Sequence, residues 1–148
     1  MRKKKLKSIP SEVFTFKNLR VLNLSRNDIK EIPKEIGKLK NLEVLDLSAN
    51  KIELLPPEIF TLTELRKLIL NKNNIEILPP AIAKLTKLET LDLWGTQIFE
   101  FPKEISKLNS TLKRLDLRVI YMTEAQQEKI SKLLPDVEIF FSRSCNCD

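Results

Sequence analysis

The chain has 148 residues, of which 42% are apolar and 31% charged, and its formal net charge is +6. That length allows one domain, and the lack of histidine excludes Ser-His-Asp and Cys-His catalysis as well as histidine metal sites. The two glycines, Gly37 and Gly95, are too few for a glycine-rich phosphate loop. We therefore predict a protein that is not an enzyme, with no catalytic residue, cofactor or metal.

The positive charge is concentrated at the beginning of the chain. Residues 1–40 contain 12 Lys or Arg and 4 Asp or Glu, whereas residues 41–148 contain 14 and 16. Because basic residues do not dominate along the whole chain, nucleic acid is not expected as a partner. The N-terminal lysines have two open interpretations: they protect an exposed sheet edge, or they make a weak contact with an anionic surface.

No segment has the pattern of a secretory signal or of a membrane span. The basic residues after Met1 lead into residues 6–10, which are not the apolar run of a signal peptide. No run of 18 apolar residues occurs, so membrane insertion is not expected. A cytoplasmic protein is predicted if Met1 is the native start, and a secreted or surface location stays open if a signal peptide was removed.

The chain begins with half of a repeat, at residues 1–18, and a full unit of 23 residues then recurs. The first half of the unit reads L-x-x-L-x-L-x-x-N-x-I, with leucines two apart as in a β-strand. Four copies follow at intervals of 23 residues and the fifth after 24, starting at Leu19, Leu42, Leu65, Leu88 and Leu112. A fixed period of this length indicates a solenoid, in which each repeat buries its leucines against its neighbours.

The ninth position of the unit has a predicted structural role. The first three copies have asparagine there, at Asn27, Asn50 and Asn73, and the last two have Thr96 and Ile120. An asparagine side chain can bond the backbone polar groups of the turn that leaves a strand. We expect the three asparagines to form a ladder, in which Thr96 replaces one bond and Ile120 none.

The second half of the unit predicts a short helical turn. It reads I-x-x-[IL]-P-x-x-I-x-x-L, a spacing of three that suits a 3₁₀ helix. Its proline opens the turn, where no N–H is needed. Strands alternating with such turns predict an α/β solenoid shaped like a horseshoe, with a parallel sheet on the concave face and short 3₁₀ or α helices on the convex face.

The C-terminal end carries its own cap. Thr123 and Gln126 have capping-box spacing, which predicts a helix from about Glu124 to Leu134. Pro135 stops this helix.

The strand spacing then returns and predicts a sixth strand, with inward residues Leu134, Val137 and Ile139. That register would put the third, fifth and seventh positions at Asp136, Glu138 and Phe140. The single domain is expected to cover residues 1–141, with its cap at 123–141. A flexible tail at 142–148 contains Cys145 and Cys147, to which no role is assigned.

These motifs resemble the leucine-rich repeat family in its 23-residue L-P-x-x-I type. They are similar to those of bacterial leucine-rich repeat proteins and of intracellular Ras-group-related ones. The resemblance covers nearly the whole chain and implies a horseshoe fold and protein recognition, without identifying the partner.

Strand alternation directs the residues between the leucines to the concave face. The fifth position is an acidic column interrupted at Ile69, whose charges Lys67 and Arg114 could offset unless a basic partner does so. The only Trp and Tyr also fall on the predicted concave side, where Trp94 either stacks on Arg118 or serves as an interface hot spot. The predicted partner-binding residues are Ile69, Asn71, Lys72, Thr90, Asp92, Trp94, Arg114, Asp116, Arg118 and Tyr121.

The predicted function is a non-enzymatic module that holds an unidentified protein partner on its concave strands. The alternative is a structural or self-associating unit, or a fragment of a larger scaffold or effector. The domain is expected to be a monomer.

Overall fold

The computed structural model describes residues 5–142, which build a six-stranded parallel sheet. The strands lie side by side in chain order, as expected when each repeat stacks on the one before. They are β1 Val21–Asn23, β2 Val44–Asp46, β3 Lys67–Ile69, β4 Thr90–Asp92, β5 Arg114–Leu117 and β6 Glu138–Phe141. The predicted parallel solenoid is confirmed. The first four residues and the cysteines Cys145 and Cys147 lie outside the described residues.

Short 3₁₀ helices cover the convex side, as the proline-containing half-repeats predict. Each begins directly after a proline that stands at its N-cap. They comprise Ser11–Thr15, Lys34–Lys38, Pro57–Thr61, Pro80–Lys84 and Lys103–Leu108. The chain therefore has the architecture of an α/β solenoid with a horseshoe curve.

The predicted capping helix is present as α1, Glu124–Leu133. The backbone N–H of Thr123 donates to Gln126 Oε1 at 2.8 Å, and the N–H of Gln126 donates to Thr123 Oγ1 at 3.3 Å, so both halves of the capping box form. Within residues 5–142 no helix has the length and apolar character that a membrane span requires, since α1 itself has 10 residues.

The core is a continuous column of leucine and isoleucine side chains. At the fourth position of the repeat, Leu45, Leu68, Leu91 and Leu115 have no exposed surface, and they stand in register across the sheet. Each repeat therefore buries its apolar residues only by contact with the repeats on either side.

The asparagine ladder also forms as predicted. The Nδ2 group of Asn50 donates to the carbonyl oxygens of Leu24 and Leu47 at 3.0 and 2.9 Å, and Asn50 Oδ1 accepts the N–H of Ile29 at 3.1 Å. Thr96 keeps one bond, from its hydroxyl to the carbonyl of Leu93. The ladder thus joins the first repeats more extensively than the last.

The residue before the ladder position has a left-handed backbone in every full repeat. The φ angles lie between 52° and 64° at Arg26, Ala49, Lys72, Gly95 and Val119. Glycine adopts this conformation without steric cost, whereas a β-branched residue there is strained. Val119 is the β-branched member of the set, and its side chain is largely exposed.

The register of the sixth strand differs from the prediction by two residues. Glu138 pairs with Arg114, and Phe140 pairs with Asp116, so these residues occupy the third and fifth positions rather than the fifth and seventh. The reason is that Leu134 belongs to the end of α1, where its N–H donates to the carbonyl of Ile130.

Three further residues complete this correction. Ile139 and Phe141 take the inward positions of β6, opposite Leu115 and Leu117. Asp136 precedes β6 and exchanges hydrogen bonds with Asn109, so it does not belong to the third-position column.

We expect Asn50→Ala to lower the free energy of unfolding by about 1–3 kcal/mol, because the N–H of Ile29 would lose its buried acceptor and the carbonyls of Leu24 and Leu47 would each lose one of their donors. Urea denaturation measures this loss. Asn74→Ala, at an exposed position, is the control and should change stability by less than about 0.5 kcal/mol. Equal effects of the two substitutions would contradict the ladder's role.

Val119→Gly should raise the free energy of unfolding by about 1 kcal/mol, because it removes the strain of a left-handed β-branched residue. Gly95→Val is the reverse substitution and should destabilise by about 1–2 kcal/mol. A Cβ at Gly95 would meet only Lys72 Cγ, at 3.8 Å, so that loss would come from the backbone. Thermal melting of both variants measures these changes in stability. A lower melting temperature for Val119→Gly than for the wild type would contradict backbone strain at Val119.

Candidate functional site

The C-terminal half of the concave face places cations over aromatic rings. The Nζ of Lys72 lies 4.4 Å from the centroid of the Trp94 ring, and the guanidinium carbon of Arg114 lies 4.2 Å from that of Phe140. Arg118 is 5.9 Å from the same Phe140 ring. We call these five residues the concave cluster. Each contact has the geometry of a cation–π interaction, which holds the rings and the cations in fixed positions.

The cluster results from stacking of successive repeats. Trp94 and Arg118 stand two residues after the fifth position of their repeats, and Lys72 follows the strand of the repeat before Trp94. Arg114 is the first residue of β5, and Phe140 lies on β6, next to Asp116. Sequence separations of about one repeat thus become side-by-side contacts on the sheet.

The acidic fifth position has a structural function. Asp46 Oδ1 accepts the backbone N–H and the hydroxyl of Ser48, at 3.0 and 2.6 Å, and its Oδ2 accepts Asn23 Nδ2 at 2.9 Å. Asn23, in the first strand, bonds the N–H of Ser25 in the same way. Each side chain caps the N–H two residues later, as Asp and Asn do in turns.

A similar arrangement occurs in the fourth repeat. Asp92 Oδ1 accepts the backbone N–H of Trp94 at 3.1 Å, and its Oδ2 accepts Asn71 Nδ2 at 2.6 Å. The charges of Asp46 and Asp92 are therefore offset by amide and backbone donors. Of the two cations expected to offset this column, Arg114 does so at Asp116, where its charge helps to lower the pKa of the carboxyl.

Asp116 is the most enclosed carboxylate of the concave face, with 5% of its surface exposed. Arg118 donates to it from Nε and Nη2, at 2.9 and 2.7 Å, and also from its backbone N–H. Burial opposes ionisation of Asp116, but these hydrogen bonds, the charge of Arg118 and that of Arg114 outweigh it, so the pKa of the Asp116 carboxyl is lowered. In return, the bond to Asp116 raises the pKa of Arg118.

This bidentate ion pair determines which of the two side chains is available for further contacts. Asp116 is occupied by Arg118 and positions it, whereas Arg118 keeps an exposed edge beside Phe140. The predicted stack of Trp94 on Arg118 is wrong: Lys72 is the cation above the Trp94 ring, because Asp116 holds the guanidinium of Arg118.

The remaining predicted site residues are dispersed. Ile69 and Thr90 are half-buried on β3 and β4, next to the cluster. Tyr121 is fully exposed. It occupies the tenth position of the repeat, and the tenth-position residues Asn74 and Gln97 line a groove on the side of the solenoid.

Phe140 is the cluster residue that is missing from the predicted set. The seventh position that the sequence predicts for Phe140 also faces the concave side; the shifted register of β6 puts it at the fifth position instead, beside Asp116 and under Arg114. The signal for this register is the partly buried apolar pair Ile139 and Phe141, whose spacing of two leaves Phe140 facing outward.

The fold and the repeat pattern have direct counterparts among known proteins. A family model described as a leucine-rich repeat region matches residues 3–138. The chain therefore belongs to the leucine-rich repeat family. Comparison with curated protein sequences gave no match.

Several solved structures are similar to this chain over nearly its whole length. A leucine-rich repeat protein of Leptospira interrogans is 37% identical, with a TM-score of 0.76, and the alignment covers 93% of this chain and 41% of that one. A plant peptide hormone receptor, RGFR1 in complex with RGF2, is 30% identical, with a TM-score of 0.77 and coverage of 95% and 23%. Internalin C2 of Listeria monocytogenes shares the fold at 22% identity and a TM-score of 0.78, with coverage of 93% and 57%. This chain thus spans less than half the length of the Leptospira protein.

Asp116→Asn should make the folded state less stable at pH 7, because the ion pair with Arg118 is lost. The loss should be about 1–2 kcal/mol, since Arg118 is half-exposed and water screens the pair. The pKa of Asp116 is lowered by folding, so its stabilisation is present above about pH 4 and is lost as the pH falls through the folded-state pKa. Urea denaturation of both proteins from pH 7 to pH 2 should show the difference shrinking. A constant difference would contradict the charge-based origin.

Proposed function

We propose that this domain is a protein-binding module that holds an extended segment of a partner on the concave face of β3 to β6. The concave cluster carries the proposal. Tryptophan and arginine are the residue types that dominate interface hot spots, and here Trp94 and Arg118 occur with further cations and a second ring on one exposed surface.

The charge of the cluster indicates the chemistry of the partner. In the described part of the chain, Lys67, Lys72 and Arg114 form no ion pair with a carboxylate, whereas Asp92 and Asp116 are already bonded within the sheet. A partner therefore meets unpaired cations beside aromatic rings. We expect it to present acidic and aromatic side chains, rather than the basic residues that an acidic strip would attract.

The similar structures support recognition of a protein or peptide as the general role. The plant receptor, which is 30% identical to this chain, is in complex with RGF2. Concave parallel sheets suit such binding, because each strand presents side chains at a spacing of about 4.8 Å along the stack.

The test is selection of binding peptides from a random displayed library on the immobilised domain. We expect enrichment of acidic and aromatic residues. The double variant Trp94→Ala/Arg114→Glu should bind the selected peptides about 10- to 100-fold more weakly, because it removes a ring and reverses a charge of the cluster. Isothermal titration calorimetry with the purified peptides measures this change.

Lys107→Ala, an exposed position in the convex helix Lys103–Leu108, is the matched control and should leave the affinity unchanged. Melting curves confirm that each variant is folded. Full affinity of the selected peptides for the folded double variant would exclude the concave cluster as the binding surface.

A further inference from the structure

The two sides of the solenoid, between the concave and convex faces, differ in how their charges are paired. On the side that precedes the strands, the second position of the repeat alternates in sign: Arg20, Glu43, Arg66, Glu89 and Lys113. Ion pairs join Arg20 to Glu43 at 3.4 Å, Arg66 to Glu89, and Lys113 to Glu89 at 2.8 Å. Glu64 and Lys87 pair on the same side at 2.7 Å. Neighbouring repeats thus neutralise each other there.

The opposite side, where the chain leaves the asparagine turn, has another composition. We call its six central residues the flank strip: Glu53, Leu54, Glu76, Ile77, Phe99 and Glu100. The three apolar side chains are 73%, 59% and 51% exposed for Leu54, Ile77 and Phe99. Isolated exposed apolar residues are ordinary, but Leu54 and Ile77 occupy the same position of successive repeats and line one groove, which is typical of a binding surface.

The carboxylates of the strip have no cation of their own. Over residues 5–142, Glu53, Glu76 and Glu100 take part in no ion pair and no side-chain hydrogen bond. This contrasts with Asp28, which lies on the same side near the beginning of the chain and pairs with Lys51 at 2.6 Å. The central part of this side is therefore acidic and apolar at once.

The strip also has a defined shape. Ile77 and Glu100 are joined by a parallel β-bridge, so successive repeats lie at sheet spacing here. A groove of about 500 Å³ extends over three repeats and is lined by Glu53, Leu54, Asn74, Glu76, Ile77 and Gln97. Its lining combines the apolar side chains of Leu54 and Ile77 with the carboxylates of Glu53 and Glu76.

We infer that the flank strip is a second binding surface, which takes a peptide segment of a partner protein carrying both apolar residues and Lys or Arg. Lysine and arginine bury their methylene stems on apolar surface and keep the charged end free. On this strip the stems fit against Leu54 and Ile77, and the charged ends reach Glu53 and Glu76. The surface thus selects the opposite charge from the concave cluster, and the inference does not depend on the function proposed for that cluster.

The probe for this surface is a fluorescein-labelled octapeptide, Lys-Leu-Lys-Ser-Lys-Leu-Lys-Ser, titrated with the full chain and followed by fluorescence anisotropy. We expect saturable binding that weakens as salt is added. The same peptide with glutamate in place of lysine should not bind. Absence of saturable binding of the lysine peptide, or equal binding of both peptides, overturns the inference.

Two variants locate the binding. Leu54→Ser/Ile77→Ser removes apolar side chains from the groove, and Glu53→Lys/Glu76→Lys reverses the charge of its two carboxylates. Each should weaken binding at least about tenfold. All four positions are exposed, so both variants should melt as the wild type does. If either one unfolds, the other still decides the test.

Val21→Ser is the matched control, because Val21 is 58% exposed on β1, almost the same as Ile77. It should keep wild-type affinity for the lysine peptide, and an equal loss there would overturn the inference. Sedimentation of the unlabelled proteins tests the competing occupant. Self-association that is abolished by Leu54→Ser/Ile77→Ser, without peptide binding, would make the strip an interface between copies and would also overturn it.

Discussion

The hydrogen bonds of the ninth-position asparagines are the interaction on which the rest of the structure depends. Asn50 joins the carbonyls of Leu24 and Leu47 and the N–H of Ile29, so one side chain satisfies the buried backbone of two repeats. These bonds fix the turns after the first three strands and therefore the stacking of the repeats that follow them. Because these turns have the same conformation, the leucines of successive repeats superpose and form a continuous core. Where Thr96 and Ile120 replace asparagine, α1 and β6 close the stack.

Because the core and the ladder use the consensus positions, specificity is left to the positions between them. The fifth position is partly used as well, since Asp46 and Asp92 cap backbone N–H groups. What remains is a concave cluster whose cations Lys72 and Arg114 form no ion pair, and a flank strip whose charged residues are the carboxylates Glu53, Glu76 and Glu100, also without an ion pair in residues 5–142. The other flank is neutralised by pairs such as Glu64–Lys87. A domain built from nearly identical repeats thus presents three surfaces of different charge.

The fold was predictable in detail wherever the 23-residue period holds, because the period states which residues become neighbours. Leu68 between Leu45 and Leu91, and Asn50 beside Leu24, follow from counting alone. The register of β6 was not predictable in this way, since α1 interrupts the period and its last turn takes Leu134. The candidate site was predicted as a surface, with Trp94, Arg114 and Arg118 in place. The contacts within the site were not predicted: Lys72 lies over the Trp94 ring, and Phe140 was assigned to another position.

The sequence by itself determined the architecture, the core and the ladder, because these are set by short side chains that contact residues one repeat away. The tertiary structure alone decided which charges stay unpaired. Long side chains such as those of Lys72 and Arg118 choose among several neighbours within reach, and that choice depends on distances through space. Likewise Leu54 and Ile77 look like their buried neighbours in the sequence, but only the stacked repeats place them at the surface. Leu54 and Ile77 are exposed beside Glu53 and Glu76 because this side of the turn faces water.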